Sequence, residues 1–134
     1  AGTYQSNFGA VSETNCRLCG PGTYQTEDYT DCHLCQSGTY QSGLGMLDQA
    51  SCIPCGKGKY QTGSGNSESS SCMACGSGTF QSGLGMTESG SCTLCISGTY
   101  QSGLAVHRVS DCLSCPSGKF QSGMGMQDVS KCLM

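Results

Sequence analysis

The feature that most constrains this chain is a sequence unit that recurs along its length. A segment of the form Gly-(Thr/Lys)-(Tyr/Phe)-Gln-(Ser/Thr) begins at seven glycines, and from the third onwards the spacing is 20 residues without a slip; these are Gly2, Gly22, Gly38, Gly58, Gly78, Gly98 and Gly118. C-x-x-C pairs follow the same spacing. Regular self-similarity is typical of repeat proteins, in which each unit packs on its neighbours. We therefore predict a single tandem array of seven units over residues 1–134.

Cysteine content indicates how such an array is stabilised. The chain has 13 Cys among 134 residues, with no Trp and only 3 Phe. Without the cysteines, the apolar fraction is too small for a conventional hydrophobic core. Covalent cross-links must therefore supply the missing stability, either as disulfides in an oxidising compartment or as metal thiolates in a reducing one.

Local sequence predicts very short elements. No apolar 3.6-residue periodicity is present, and Gly, Ser and Thr interrupt every window long enough for a helix. "GTYQS" is typical of a brief strand, and "SGLG" of the turn that follows. The Gly22 unit is 16 residues long, so the segment it shortens is expected to be a surface loop. We predict a disulfide-rich, elongated solenoid of β-hairpin-like repeats of about 20 residues, with stability close to a nearest-neighbour sum.

Spacing leaves two disulfide schemes. Bonds within each C-x-x-C would close very short loops of the kind used in redox chemistry. Bonds from the second cysteine of one pair to the first of the next would close a loop of about 18 residues and contribute about 3 kcal/mol each. The second scheme pairs Cys19 with Cys32, Cys35 with Cys52, Cys55 with Cys72, Cys75 with Cys92, Cys95 with Cys112 and Cys115 with Cys132.

The second scheme leaves Cys16 over. Its partner would lie just upstream of Ala1, and the cysteine that would complete "CLM" would follow Met134. We therefore expect an excerpt of a longer array, in which Cys16 is unpaired within residues 1–134 or bonded to another chain.

The motif C-x-x-C-x-x-G-T-Y resembles the cysteine-rich repeats of ephrin-receptor-like extracellular regions and, more distantly, the first loop of tumour-necrosis-factor-receptor modules. The resemblance covers nearly the whole chain. It implies a secreted or cell-surface, rod-like, disulfide-laddered ectodomain. It also favours the second disulfide scheme, in which bonds join one C-x-x-C pair to the next (the between-pair scheme). Unlike receptor modules, this chain has a single loop type and no long divergent loop for a ligand, a pattern more typical of stalks, fibres and surface coats.

Chemical alternatives are weaker. The spacing C-x₂-C-x₁₆-C-x₂-C falls within that of zinc ribbons, but each pair has an equally spaced neighbour on both sides, so metal pairing would have no unique register. A C-x-x-C redox enzyme would need a context that lowers a thiol pKa, so we predict that the chain is not an enzyme and has no cofactor. Net charge is -3 with only 6 Lys+Arg, which argues against nucleic acid, and no run is long enough to span a membrane.

Three columns of like residues remain. One glutamine in every repeat would form a hydrogen-bond ladder or a local turn bond. Acids at 48, 68, 88 and 128 suggest a solvated edge, with calcium as the alternative. Methionines recur every second repeat and would either mediate self-association or fill gaps internally; these are Met46, Met86 and Met126.

We therefore expect an extracellular structural protein, a stapled rod within a fibre, filament or surface appendage that self-associates and carries O-linked glycans on serine-rich loops. A receptor-like spacer or binding module is the alternative, and a zinc-binding repeat protein is the third.

Overall fold

The computed structural model describes residues 17–27 and 31–134, together with the backbone of Thr3–Tyr4. In these ranges regular structure consists of two- and three-residue strands and single 3₁₀ turns, with no α-helix. The strands are β1 Thr3–Tyr4, β2 Arg17–Leu18, β3 Thr23–Gln25, β4 Cys32–Leu34, β5 Thr39–Tyr40, β6 Ile53–Pro54, β7 Lys59–Tyr60, β8 Met73–Ala74, β9 Thr79–Phe80, β10 Thr93–Leu94, β11 Thr99–Tyr100 and β12 Leu113–Ser114.

Each repeat forms one antiparallel hairpin. Consecutive strands pair as β1–β2, β3–β4, β5–β6, β7–β8, β9–β10 and β11–β12, with no closed sheet among the described strands. Tyr40 lies opposite Ile53, and Phe120 and Leu133 form the equivalent bridge in the last repeat. Threonine and aromatic residues favour these strand positions because their side chains pack well across a pleated pair.

A tight turn precedes each hairpin from Thr23 onwards. Thr39 N–H donates to the Gln36 carbonyl at 3.2 Å, and the intervening Gly38 has φ 80°. A positive φ at the third position is what a type II turn requires, and glycine adopts it without strain. The recurring glycine therefore sets the direction in which each first strand leaves the preceding C-x-x-C.

Single 3₁₀ turns close the loops between paired strands. They occupy Gln49–Ser51, Ser69–Ser71, Ser89–Ser91, Val109–Asp111 and Val129–Lys131, each ending directly before a cysteine. An acid immediately precedes four of them, and Arg108 precedes Val109–Asp111. Asp48 accepts from Ser51 N–H at 3.1 Å, whereas Glu68 and Glu88 make no such cap. These turns thus hold the first cysteine of each pair at the start of the second strand.

The interior contains cysteine and glutamine rather than a hydrophobic core. Among the described residues, the buried cysteines are Cys19, Cys35, Cys52, Cys55, Cys72, Cys75, Cys95 and Cys132. The buried polar residues are Gln25, Gln41, Gln61, Gln81, Gln101 and Gln121. The described strands form short hairpins that repeat about every 20 residues and join into no closed sheet. The predicted fold class is therefore confirmed.

Candidate functional site: the joint between repeats

The joint is the set of contacts by which one repeat holds the following ones. Around the turn at Gly58, three backbone hydrogen bonds make up the joint. Gly58 N–H donates to the Gln81 carbonyl at 2.8 Å, Gln61 N–H to the Met86 carbonyl at 2.9 Å, and Gly85 N–H to the Cys55 carbonyl at 2.9 Å. The same pattern starts from Gly22, Gly38, Gly78 and Gly98, with Asn66 or Val106 in place of the methionine where the sequence changes. Each repeat is therefore joined by backbone groups that tolerate side-chain variation.

The buried glutamine adds a side-chain hydrogen bond to each joint. Gln81 Oε1 accepts from Gly58 N–H at 2.9 Å, so that one N–H is shared between the side chain and the backbone carbonyl of the same glutamine. Equivalent bonds join Gln41 to Gly22, Gln61 to Gly38, Gln101 to Gly78 and Gln121 to Gly98. The glutamine column is a hydrogen-bond ladder along the array, but each bond joins a glutamine side chain to a glycine backbone N–H rather than to another glutamine side chain.

The joint also reaches the repeat after next. A Cβ added to Gly78 would overlap the Gly125 carbonyl oxygen and lie 2.6 Å from its carbonyl carbon, and Gly38 faces Gly85 in the same way. Because two backbones approach this closely, only glycine fits. The stability of the array is therefore more than a sum over neighbouring repeats, since residues 78–97 also pack against residues 118–134.

Side-chain size is matched across this longer contact. Leu34 Cδ2 would lie 2.7 Å from a Cβ on Gly65, and Leu94 Cδ2 2.6 Å from one on Gly125. In the one described repeat where the turn residue is not glycine, Ala105 takes φ 56°, and the residue at the position equivalent to Leu34 and Leu94 is Ala74. The small Ala74 leaves room for the Ala105 methyl group, so the two positions are adjusted to each other.

Disulfides supply the covalent part of each joint. The six bonds have Cα–Cα distances of 5.5–5.8 Å, within the ordinary range. They are Cys19–Cys32, Cys35–Cys52, Cys55–Cys72, Cys75–Cys92, Cys95–Cys112 and Cys115–Cys132, the pairs of the between-pair scheme. Cys16 lies outside the described residues. Disulfide sulfur is not a zinc thiolate, so the zinc interpretation does not apply to these twelve cysteines.

The methionine column lies on the turns themselves. A Cβ on Gly43 would be 2.5 Å from Met46 Cε, and Met86 and Met126 approach Gly83 and Gly123 in the same way. All three methionines are half-buried. This placement fits the gap-filling alternative, and their role in self-association stays a prediction.

The acid column gathers no metal ligands. In the described ranges no three His, Cys, Asp or Glu side chains come together as a set that would hold a metal ion. Asp128 accepts hydrogen bonds from the hydroxyl and the backbone N–H of Ser130, and these bonds lower the pKa of its carboxyl group. Its observed contacts are thus those of a turn cap.

A tandem array of small hairpins with a disulfide across each boundary defines the chain as a cysteine-rich repeat module. The family described as tyrosine-protein kinase ephrin type A/B receptor-like matches residues 44–89 and 84–132. The chain belongs to this ephrin-receptor-like family, which confirms the resemblance expected from C-x-x-C-x-x-G-T-Y. No curated protein matches the sequence. The family and the disulfides together point to an extracellular or cell-surface location.

Proposed function

We propose that this chain is a structural strut, a segment of an extracellular fibre, filament or surface appendage whose length depends on the number of repeats. The observation that carries the proposal is that one joint recurs with nearly the same atoms at successive repeats. Because those atoms are mostly backbone, further copies would extend the array without a new type of contact.

Covalent and non-covalent links reinforce each other in this role. Each disulfide closes a loop with a sequence separation of 17 residues, or 13 in the short repeat. Such a loop limits how far a repeat separates when its joint opens, because the unfolded chain is shorter between the bonded cysteines. A strut under load benefits from that limit.

The family supports a second candidate, a spacer in a receptor-like ectodomain. Ephrin-receptor-like repeats are the matched family, and a spacer would use the same stapled array to hold a separate binding domain at a distance. This candidate needs no self-assembly.

Neither role involves catalysis, a cofactor or nucleic acid, and these absences stay predictions. The described residues include no helix with the length and hydropathy of a membrane span. The exposed serines Ser69 and Ser70 are the places where we expect O-linked glycans.

Negative-stain microscopy of native material separates the two roles. A strut in a fibre predicts extended assemblies that persist after dilution and that disappear when the same sample is reduced and alkylated. Discrete single particles in the untreated sample would contradict the fibre and favour the spacer. The reduced sample is the control, since it retains the sequence and loses only the disulfides.

A further inference from the structure

The array exposes an apolar surface that the joints leave uncovered. Two positions of each repeat contribute: the tip residue, six after the starting glycine, and the second residue inside the C-x-x-C pair. We call this surface the seam. Between residues 34 and 124 its apolar members are Leu34, Leu44, Pro54, Ala74, Leu84, Leu94, Leu104 and Met124, and the remaining two positions are Ser64 and Ser114.

Contacts between repeats bring the two positions together. Leu94 lies against Gly125, which directly follows the tip residue Met124, and Pro54 Cβ would lie 3.4 Å from a Cβ on Gly85, which follows Leu84. The members stay exposed all the same: Leu104 is 68% accessible, Met124 61% and Leu94 46%. The seam therefore continues from repeat to repeat rather than forming isolated apolar spots.

We propose that the seam binds the seam of a second copy of this chain, so that two arrays lie side by side. This inference rests on the proposed strut function and names the partner of that strut. Apolar groups recur every 20 residues, and a partner must have the same repeat spacing to contact each of them in turn. A second copy of this chain has that spacing because its sequence is identical.

Charge points to the same partner. A surface that meets an identical surface brings like charges together, which is unfavourable. None of the seam positions between residues 34 and 124 carries a charged side chain, whereas the neighbouring strand column contains Lys59 and Lys119 and the loops contain the acid column. The seam is thus suited to pairing with itself.

The available area sets the strength of the pairing. Eight side chains at roughly 50–100 Å² each give roughly 400–800 Å² per partner. A standard stable interface needs about 800 Å² per partner. We therefore expect a weak pair at this chain length, and tighter pairing as repeats are added.

The test uses serine substitutions that the chain itself supplies. Ser64 shows that the tip position accepts serine, so Leu84→Ser, Leu104→Ser and Met124→Ser are combined in one variant. The control replaces Val109 and Val129 by serine, because serine occupies that position in two other repeats and both valines are exposed. Non-reducing peptide mapping verifies that all three proteins have the same disulfides.

Sedimentation velocity over a concentration series gives the pairing constant. We expect wild type and control to form dimers with similar constants, and the triple variant to bind itself more than about tenfold less tightly. A wild type that stays monomeric up to about 0.5 mM, or a triple variant that pairs as well as wild type, would overturn the seam.

Microscopy of the same proteins distinguishes the failure of the seam from that of the strut. Fibres of equal width in wild type and triple variant would reject the seam and leave the strut standing. Thinner fibres in the triple variant alone would support both. Dimers without any fibre would support the seam and reject the strut.

Discussion

Replacement of Gly78 by alanine tests the close approach between a repeat and the repeat after next. Gly78 and Gly98 both have φ 79°, so alanine at either position suffers the same left-handed strain. Their surroundings differ: a Cβ on Gly78 meets the Gly125 backbone, while nothing lies within 4 Å of one on Gly98. The pair therefore separates steric overlap from backbone conformation within one protein.

The expected magnitudes follow from these two effects. Left-handed strain costs about 1–2 kcal/mol, and the loss of glycine's freedom in the unfolded chain offsets about 0.4–1 kcal/mol of it. Gly98→Ala should therefore lower the free energy of unfolding by about 1 kcal/mol. Gly78→Ala adds an overlap with the Gly125 backbone, which cannot rotate away as a side chain could. This overlap costs about a further 1–3 kcal/mol.

Amide hydrogen exchange is the suitable assay, because repeat arrays need not unfold in one step. The amide of Gly125 donates to the Cys95 carbonyl at 2.8 Å and lies beside the overlap, so its protection reports directly on the joint. We expect that protection to fall by more than about tenfold in Gly78→Ala relative to Gly98→Ala. Equal protection in the two variants would refute the close approach.

Three further predictions concern the joint and its turn. Ala74→Leu should lower the free energy of unfolding in urea by about 1–2 kcal/mol and cost little when combined with Ala105→Gly; additive effects of the two changes would contradict the size matching. Gln81→Met should cost about 1 kcal/mol, since its glycine partner keeps the backbone bond, while Gln49→Met on the exposed turn serves as a control with almost no cost. The pKa of Asp128 is lowered in the folded state, so its contribution to stability is present above the unfolded pKa and is lost as pH falls through the folded pKa. Asp128→Asn should therefore flatten the dependence of local amide exchange on acid pH. An unchanged dependence on acid pH would argue against the turn cap.

Local features of the fold could be predicted from the sequence because the chemistry that sets them is itself local. "GTYQS" places a β-branched residue and an aromatic after a turn glycine, and this predicts the brief first strand seen at Thr39–Tyr40. The 20-residue spacing of the C-x-x-C pairs likewise predicts a repeating array. The family and the fold class were both accessible at this level.

Contacts between repeats were harder to predict, because they depend on the axial step and rotation from one hairpin to the next. No pattern within one repeat indicates that Gly78 touches Gly125. A signal was nevertheless present: Ala105 is the one residue other than glycine in its column from 45 to 125, and the column of Ala74, otherwise leucine, proline or serine, has its one alanine at the matching position. The glutamine column was recognised as a ladder, but its glycine partner depends on backbone placement that the sequence does not encode locally.

The most direct measurement of the central claim is peptide mapping of the native protein after alkylation without reduction. A stapled array predicts peptides linked through the six pairs seen in the structure, from Cys19–Cys32 to Cys115–Cys132. The same mapping also identifies the partner of Cys16. Alkylated free thiols at these positions, or bonds closed within the C-x-x-C pairs, would contradict the stapled array.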